Sequence, residues 1–283
     1  MDRGAAAHTV GGMTGPIVTG FEGRPQSEDA LELARLFGSA WDASVLAVWV
    51  PERDEPFSTF THEALRGRIR RSQALRAAAA DVLDGGPEWE LTAQPALWPA
   101  DGLTLVAGEK SARTLVVGSS HLGPIGRVVL GSTAARLLST APCPIAVAPR
   151  GWATGRRTAR PATVGVALDG CEDCELALDV AMPLSADLGS RLVALSVTEN
   201  GDPHPEAQLA RAEQAGAERL LLEGHAADKL AAASHDLDLL VVGCRSCAGV
   251  LGRPLRSVSR RLLRASACPL LVVPDALRRV DAA

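Results

Sequence analysis

Four cysteines stand in two tight pairs, Cys171-Glu-Asp-Cys174 and Cys244-Arg-Ser-Cys247, and each pair follows a short apolar run that reads as a strand, Thr163 to Leu168 and Leu237 to Gly243. If the two strands are parallel neighbours in one sheet, their carboxyl ends sit side by side, and the four sulfurs converge on the crevice where such sheets bind ligands. Four thiolates there suit zinc or an iron–sulfur cluster. Two other readings stand beside the metal one: a reversible dithiol, and unrelated thiols, since free Cys is a common small buried hydrophobe. His225, after Glu223-Gly224, belongs to the same sheet edge and is a further candidate ligand, set against an ordinary solvated loop histidine. Cys143 and Cys268 open matched apolar segments and read as packed structural thiols.

The elements that must position these residues come in two copies. Sliding the chain by about 125 residues lays Leu115-Val-Val-Gly118 over Leu240-Val-Val-Gly243, Arg136-Leu-Leu138 over Arg261-Leu-Leu263, and Cys143-Pro144 over Cys268-Pro269. A shift of about 147 relates the front halves, with Gly20-Phe-Glu22-Gly23 over Ala167-Leu-Asp169-Gly170 and Val45 to Val50 over Leu192 to Val197. Between these strands, Ser27 to Ala40 and Cys174 to Asp187 carry apolar residues at helical spacing. The second copy is shorter in its middle, and Glu218 to Leu222 is all that can serve as its third strand. Alternating strands and helices predict an α/β fold: two tandem doubly wound domains with parallel five-stranded sheets in 3-2-1-4-5 order. The expected bounds are 16–150 and 162–275, with a solvated linker at 151–161 and disordered tails at 1–15 and 276–283. Strands Pro144 to Ala148 and Pro269 to Val273 would be open apolar edges, so they are expected to pair with one another as an intrachain pseudo-dimer.

The first copy looks built for a polyphosphate. After Thr114 to Val117 comes Gly118-Ser-Ser-His121, then nine residues, then Gly131-Ser132-Thr133 leading into a helix. Glycines let the backbone approach phosphate, and a helix N-terminus offers free amides and positive dipole. This run, with Gly-Phe-Glu22-Gly ahead of it and Ala-Pro-Cys-Pro behind, resembles the universal stress protein family in both copies. The resemblance implies a Rossmann-like fold and an ATP or AMP site in the first copy. Its residues would be Glu22 after the first strand, Val50 or Val48 beside adenine, and Gly118, Ser119, His121, Gly131, Ser132 and Thr133 around the phosphates. His121 stands where the family pattern has its second glycine. In the second copy Gly243 and Asp169 are kept, but Ser246 and Arg256 replace glycines, so the phosphate site is lost where the cysteines appear.

Composition narrows the alternatives. A net charge of −4 and a pI near 5.9 give no electrostatic footprint for nucleic acid. No apolar run approaches the roughly 18 residues of a membrane span. Residues 1–15 lack a secretory pattern, so a cytoplasmic protein with reduced thiols is expected. No catalytic motif stands out, and a sensor or binding module, with an unidentified protein partner and an optional further homodimer, ranks above a slow ATP-hydrolysing enzyme or a ligand-free interaction module.

Overall fold

The computed structural model describes residues 15–51, 62–122, 124–155, 161–199, 201–243, 262 and 265–274. Both tails and the second cysteine pair, Cys244 and Cys247, lie outside them. In the first half the chain runs β1 (Ile17–Gly20), α1 (Pro25–Trp41), β2 (Val45–Trp49), α2 (His62–Leu83), β3 (Trp89–Ala93), α3 (Pro99–Glu109), β4 (Thr114–Gly118), α4 (Ser132–Thr140) and β5 (Ile145–Ala148). A short α5 (Trp152–Gly155) follows. The second half runs β6 (Thr163–Leu168), α6 (Glu172–Leu188), β7 (Arg191–Thr198), α7 (Glu206–Gln214), β8 (Glu218–Glu223), α8 (Ala226–Ala233), β9 (Leu239–Gly243) and β10 (Leu270–Val273).

The ten strands among the described residues form one sheet in the order β3-β2-β1-β4-β5-β10-β9-β6-β7-β8, which is the expected 3-2-1-4-5 order twice over. Pairing is parallel throughout each half and antiparallel at the centre, where Leu270, Leu271 and Val272 of β10 face Val147, Ala146 and Ile145 of β5. The two strands that would have been open edges are thus each other's partners. Strand residues alternate between two cores that both run through both halves. One face packs Val116, Ala146, Val166 and Leu271 under α1, α2, α6 and α7; the other packs Leu115, Val147, Leu240 and Leu270 under α3, α4 and α8. Burial on both faces is why these strands read as continuous Val, Leu and Ile runs.

The start of the joining segment, residues 151–155, differs from its composition-based reading as a solvated linker. Trp152 is buried in the α1 core, and Asp29 of α1 accepts hydrogen bonds from the Gly151 and Ala153 amides at 2.8 and 2.9 Å, tying α5 down. Burial pushes the Asp29 carboxyl above its ordinary value, while the two amides pull it back. A second tie crosses the halves where Arg113, before β4, stacks over Trp41 at 4.3 Å and reaches Asp187 of α6 at 3.4 Å. Removing the Asp29 carboxylate by Asp29→Ala leaves two amides without their acceptor and is expected to cost about 1–3 kcal/mol. Urea unfolding checks this as a lower midpoint at unchanged slope.

Candidate functional site

In a doubly wound sheet the ligand crevice lies past the carboxyl ends of the central strands, here β1 and β4 in the first half and β6 and β9 in the second. The central antiparallel pair reverses strand direction, so the two crevices lie on opposite edges of the sheet.

In the first half, β1 ends in Gly20 and the chain turns through Phe21, Glu22 and Gly23, whose φ is +70°. Ser27 fixes the start of α1: its hydroxyl donates to the Arg24 carbonyl and accepts from the Arg24 amide. Glu22 is exposed, its carboxylate 3.6 Å from Arg24. Val48 is buried in the α3 and α4 core, while Val50 is half-buried against Gly102 of α3.

The glycines on which the phosphate reading depends are of two physical kinds. A Cβ on Gly118 would overlap the backbone carbonyl of Gln26 in α1, so helix packing alone demands a glycine there. Gly243 in the second half is crowded in the same way by the Asp173 carbonyl of α6. Around Gly131 the nearest heavy atom to a built Cβ among the described residues is 3.8 Å away, on Ser120, and no packing contact among them requires a glycine. Gly131 is the N-cap of α4 and contributes no side-chain cap, so the first amides of that helix are without an acceptor from the helix or its cap residue. Ser132 and Thr133 follow at the rim.

Ser119 sits differently from its neighbours. It is buried; its hydroxyl donates to the Ala148 carbonyl at 2.7 Å and accepts from the Val129 amide at 3.2 Å, which anchors the loop to β5. His121 is on an exposed turn. The same loop is clamped by the second half, because the Val128 amide donates to the Ser266 carbonyl at 2.9 Å and Arg127 to the Ala265 carbonyl at 3.0 Å.

At the opposite edge, Cys171 is the N-cap of α6 and Cys174 lies within its first turn, with their sulfurs 3.3 Å apart. Cys171 is half-buried and Cys174 buried. Asp169 Oδ1 accepts from the Cys171 amide at 2.9 Å and from Cys174 Sγ at 3.1 Å. The contact with Cys174 holds the Cys171 thiol below its ordinary range; the same contact, with burial and the Asp169 charge, pushes Cys174 well above it. Gln208 of α7 was not legible as part of this site. It is buried, donates to the Cys171 carbonyl at 2.8 Å and accepts from the Gly170 amide at 2.9 Å.

Among the described residues, Asp169, Cys171 and Cys174 group three metal-type donors within 4.8 Å of one another. His225 is not with them: it starts α8 beyond the edge strand β8, exposed, with Asp228 at 3.9 Å. Cys143 and Cys268 are buried, and burial pushes the Cys143 thiol up to about 12. The antiparallel register sets them at opposite ends of the central pair, about 20 Å apart along the strands, so they cannot be joined.

The chain matches the Universal stress protein family over residues 13–149 and 219–274. It is 29% identical to a universal stress protein of Thermus aquaticus over 131 residues, covering 46% of this chain and 94% of that relative. It is 30% identical to a Mycolicibacterium smegmatis universal stress protein over 191 residues, covering 60% of this chain and 64% of that one, a little under two thirds of the relative's length. A universal stress protein structure from Archaeoglobus fulgidus superimposes over 91% of this chain and 98% of its own, at 17% identity and a TM-score of 0.64. Among the described residues, no helix is long and apolar enough to cross a membrane.

The two kinds of glycine separate in a stability measurement. Gly118→Ala forces a methyl into the α1 backbone and is expected to cost about 1–3 kcal/mol, the usual range for overpacking. Gly131→Ala meets open space at a φ of −82° and loses only the N-cap preference of glycine over alanine, so it should cost less, about 1 kcal/mol at most, in the same urea titration.

Proposed function

The chain belongs to the universal stress protein family, and from that premise we propose that its first half binds one adenine nucleotide, ATP or AMP, in a protein that serves the stress response as a sensor or binding module. The observation that carries the reading is the difference between Gly118 and Gly131. The first is accounted for by packing, whereas the second leaves free space at a helix N-terminus whose amides lack an acceptor from the helix or its cap residue. Phosphate oxygens supply that acceptor and favour the positive end of the helix dipole. Ser132 and Thr133 add hydroxyl donors at the rim, and Gly118 and His121 border the phosphates. Ser119 supports the site from below, since its hydroxyl is spent on Ala148 and Val129. Adenine lies toward Val50, with Glu22 at the turn after β1 holding the sugar side.

The second half is a thiol site in the same reading, with Arg256 where the first half has Gly131. A zinc ion or iron–sulfur cluster on Cys171, Cys174, Cys244 and Cys247 draws on the right donor types. Two sulfurs at about 2.3 Å from a tetrahedral zinc stand about 3.8 Å apart, whereas Cys171 and Cys174 are at 3.3 Å, the spacing of two thiols in contact.

Calorimetry of the full chain with ATP and AMP should find one site per chain. Gly131→Arg, which imitates the second half, should abolish binding while keeping a cooperative urea transition at a modestly lower midpoint. Two equivalent sites, or unchanged affinity in Gly131→Arg, would refute the assignment. Steady release of phosphate from ATP by the parent, lost in Gly131→Arg, would favour the hydrolytic reading over the binding module.

A further inference from the structure

We propose that Cys171 and Cys174 form a redox-active dithiol, in which a hydroperoxide oxidises Cys171 and Cys174 closes the disulfide. The inference deepens the reading of the second half as a thiol site and rests on it.

Geometry carries the argument. The two sulfurs are already in contact at 3.3 Å. Residues three apart in a first helical turn place their α-carbons about 5–6 Å from each other, inside the range disulfides accept, so the bond forms by side-chain rotation without backbone movement. Exposure divides the roles. Cys171, half-buried at the N-cap, is open to a small oxidant, whereas Cys174 is buried beside it and best reached through Cys171.

The surrounding groups hold the pair in place and take its proton. Asp169 Oδ1 is 3.1 Å from Cys174 Sγ, a carboxylate placed to accept the proton of the resolving thiol. The same oxygen receives the Cys171 amide, and the Gln208 amide group bridges the Gly170 amide and the Cys171 carbonyl, so the backbone of the attacking cysteine is held on both sides. Gln208 is a positioning residue, and Asp169 is the proton acceptor.

The chemistry balances in two steps. The Cys171 thiolate attacks one oxygen of the peroxide; the S–O bond forms, the O–O bond breaks, and the departing oxygen leaves as water, or as an alcohol from an organic peroxide, after taking up a proton. Cys171 is then a sulfenic acid, oxidised by two electrons, and the peroxide has been reduced. Cys174 passes its proton to Asp169 and attacks the Cys171 sulfur; the S–S bond forms, the S–O bond breaks, and hydroxide leaves as water with that proton. Two thiols and one hydroperoxide give one disulfide. A dithiol reductant restores the pair by exchange.

The test uses the full chain, purified reduced and freed of reductant without oxygen, with zinc and iron measured on the same sample. Addition of hydrogen peroxide is expected to consume two of the six thiols and to remove two hydrogens from the peptide containing Cys171 and Cys174, both changes reversed by dithiothreitol. Cys174→Ser is expected to stop at a Cys171 sulfenic acid that dimedone traps, and Cys171→Ser to slow thiol loss roughly tenfold or more. Peptide mapping of the parent decides the matter even where a variant fails to fold. A disulfide joining either residue to another cysteine overturns the proposal. If the pair stays reduced and the chain carries about one metal ion or cluster, the dithiol fails and the thiol-site reading stands. If it stays reduced in a metal-free chain, both fail.

Discussion

The antiparallel pairing of β5 with β10 is the contact on which the rest of the structure depends. Each half ends in a four-residue apolar strand, buried on both faces, that would present unpaired amides and carbonyls to solvent if it stood alone. Joined, the two strands become the centre of a ten-stranded sheet, and the open edges move outward to β3 and β8. Those edges carry Glu90, and Glu218, Arg219 and Glu223, the kind of charge that discourages further strand addition. The seam also lets each core run through both halves, so α1 and α6 share one hydrophobic layer and α3, α4 and α8 another.

Because that seam is antiparallel, it turns the two crevices to opposite edges of the sheet. A nucleotide in the first half and a disulfide in the second would have no direct contact; each would influence the other only through strands, shared cores and the ties that cross between halves. One such tie is at the phosphate loop itself. Val128 and Arg127 bond to Ser266 and Ala265, which lead into β10, so the second half helps hold the loop that leads to Gly131. Ser119, just past β4, ties the same loop to Ala148 of β5. The loop therefore rests on both strands of the seam.

Much of this was legible in the sequence, and the limits have physical causes. Strand order, the repeat and the pairing of the last strands follow from period, short loops and the need to close an apolar edge. The helix read from Cys174 to Asp187 begins at Glu172 and ends at Leu188, a small error at termini where capping rather than periodicity decides. The meaning of the glycines was not legible. Gly118 and Gly131 look alike in a motif, and only the Gln26 carbonyl behind one and the open space behind the other separate a glycine demanded by packing from one that packing leaves free. Gln208 and Asp29 were equally hidden, because each is a polar residue on a helix whose partner is a backbone amide brought in from elsewhere in the fold. The segment around Trp152 misled by composition, since one buried indole and one carboxylate outweigh its Gly and Arg content.

The two halves meet the same local problem, a helix start just past the first strand, with different chemistry. In the first half Ser27 closes the turn with its hydroxyl, and Glu22, a methylene longer than Asp, points outward to Arg24. In the second half Cys174 stands in the place of Ser27, and sulfur is a weak acceptor for a backbone amide. Asp169, shorter than Glu22, turns toward the helix start and takes the Cys171 amide itself, which leaves its carboxylate beside the Cys174 sulfur. Cysteine in the place of Arg24 then brings a second sulfur against the first. Residues 169, 171 and 174 are therefore coupled: the amide that finds the Ser27 hydroxyl in the first half finds the Asp169 carboxylate in the second, and the same carboxylate oxygen meets the Cys174 thiol. The two halves thus differ at this helix start in three positions that touch one another, and in the second half they bring two thiols together with a carboxylate beside them.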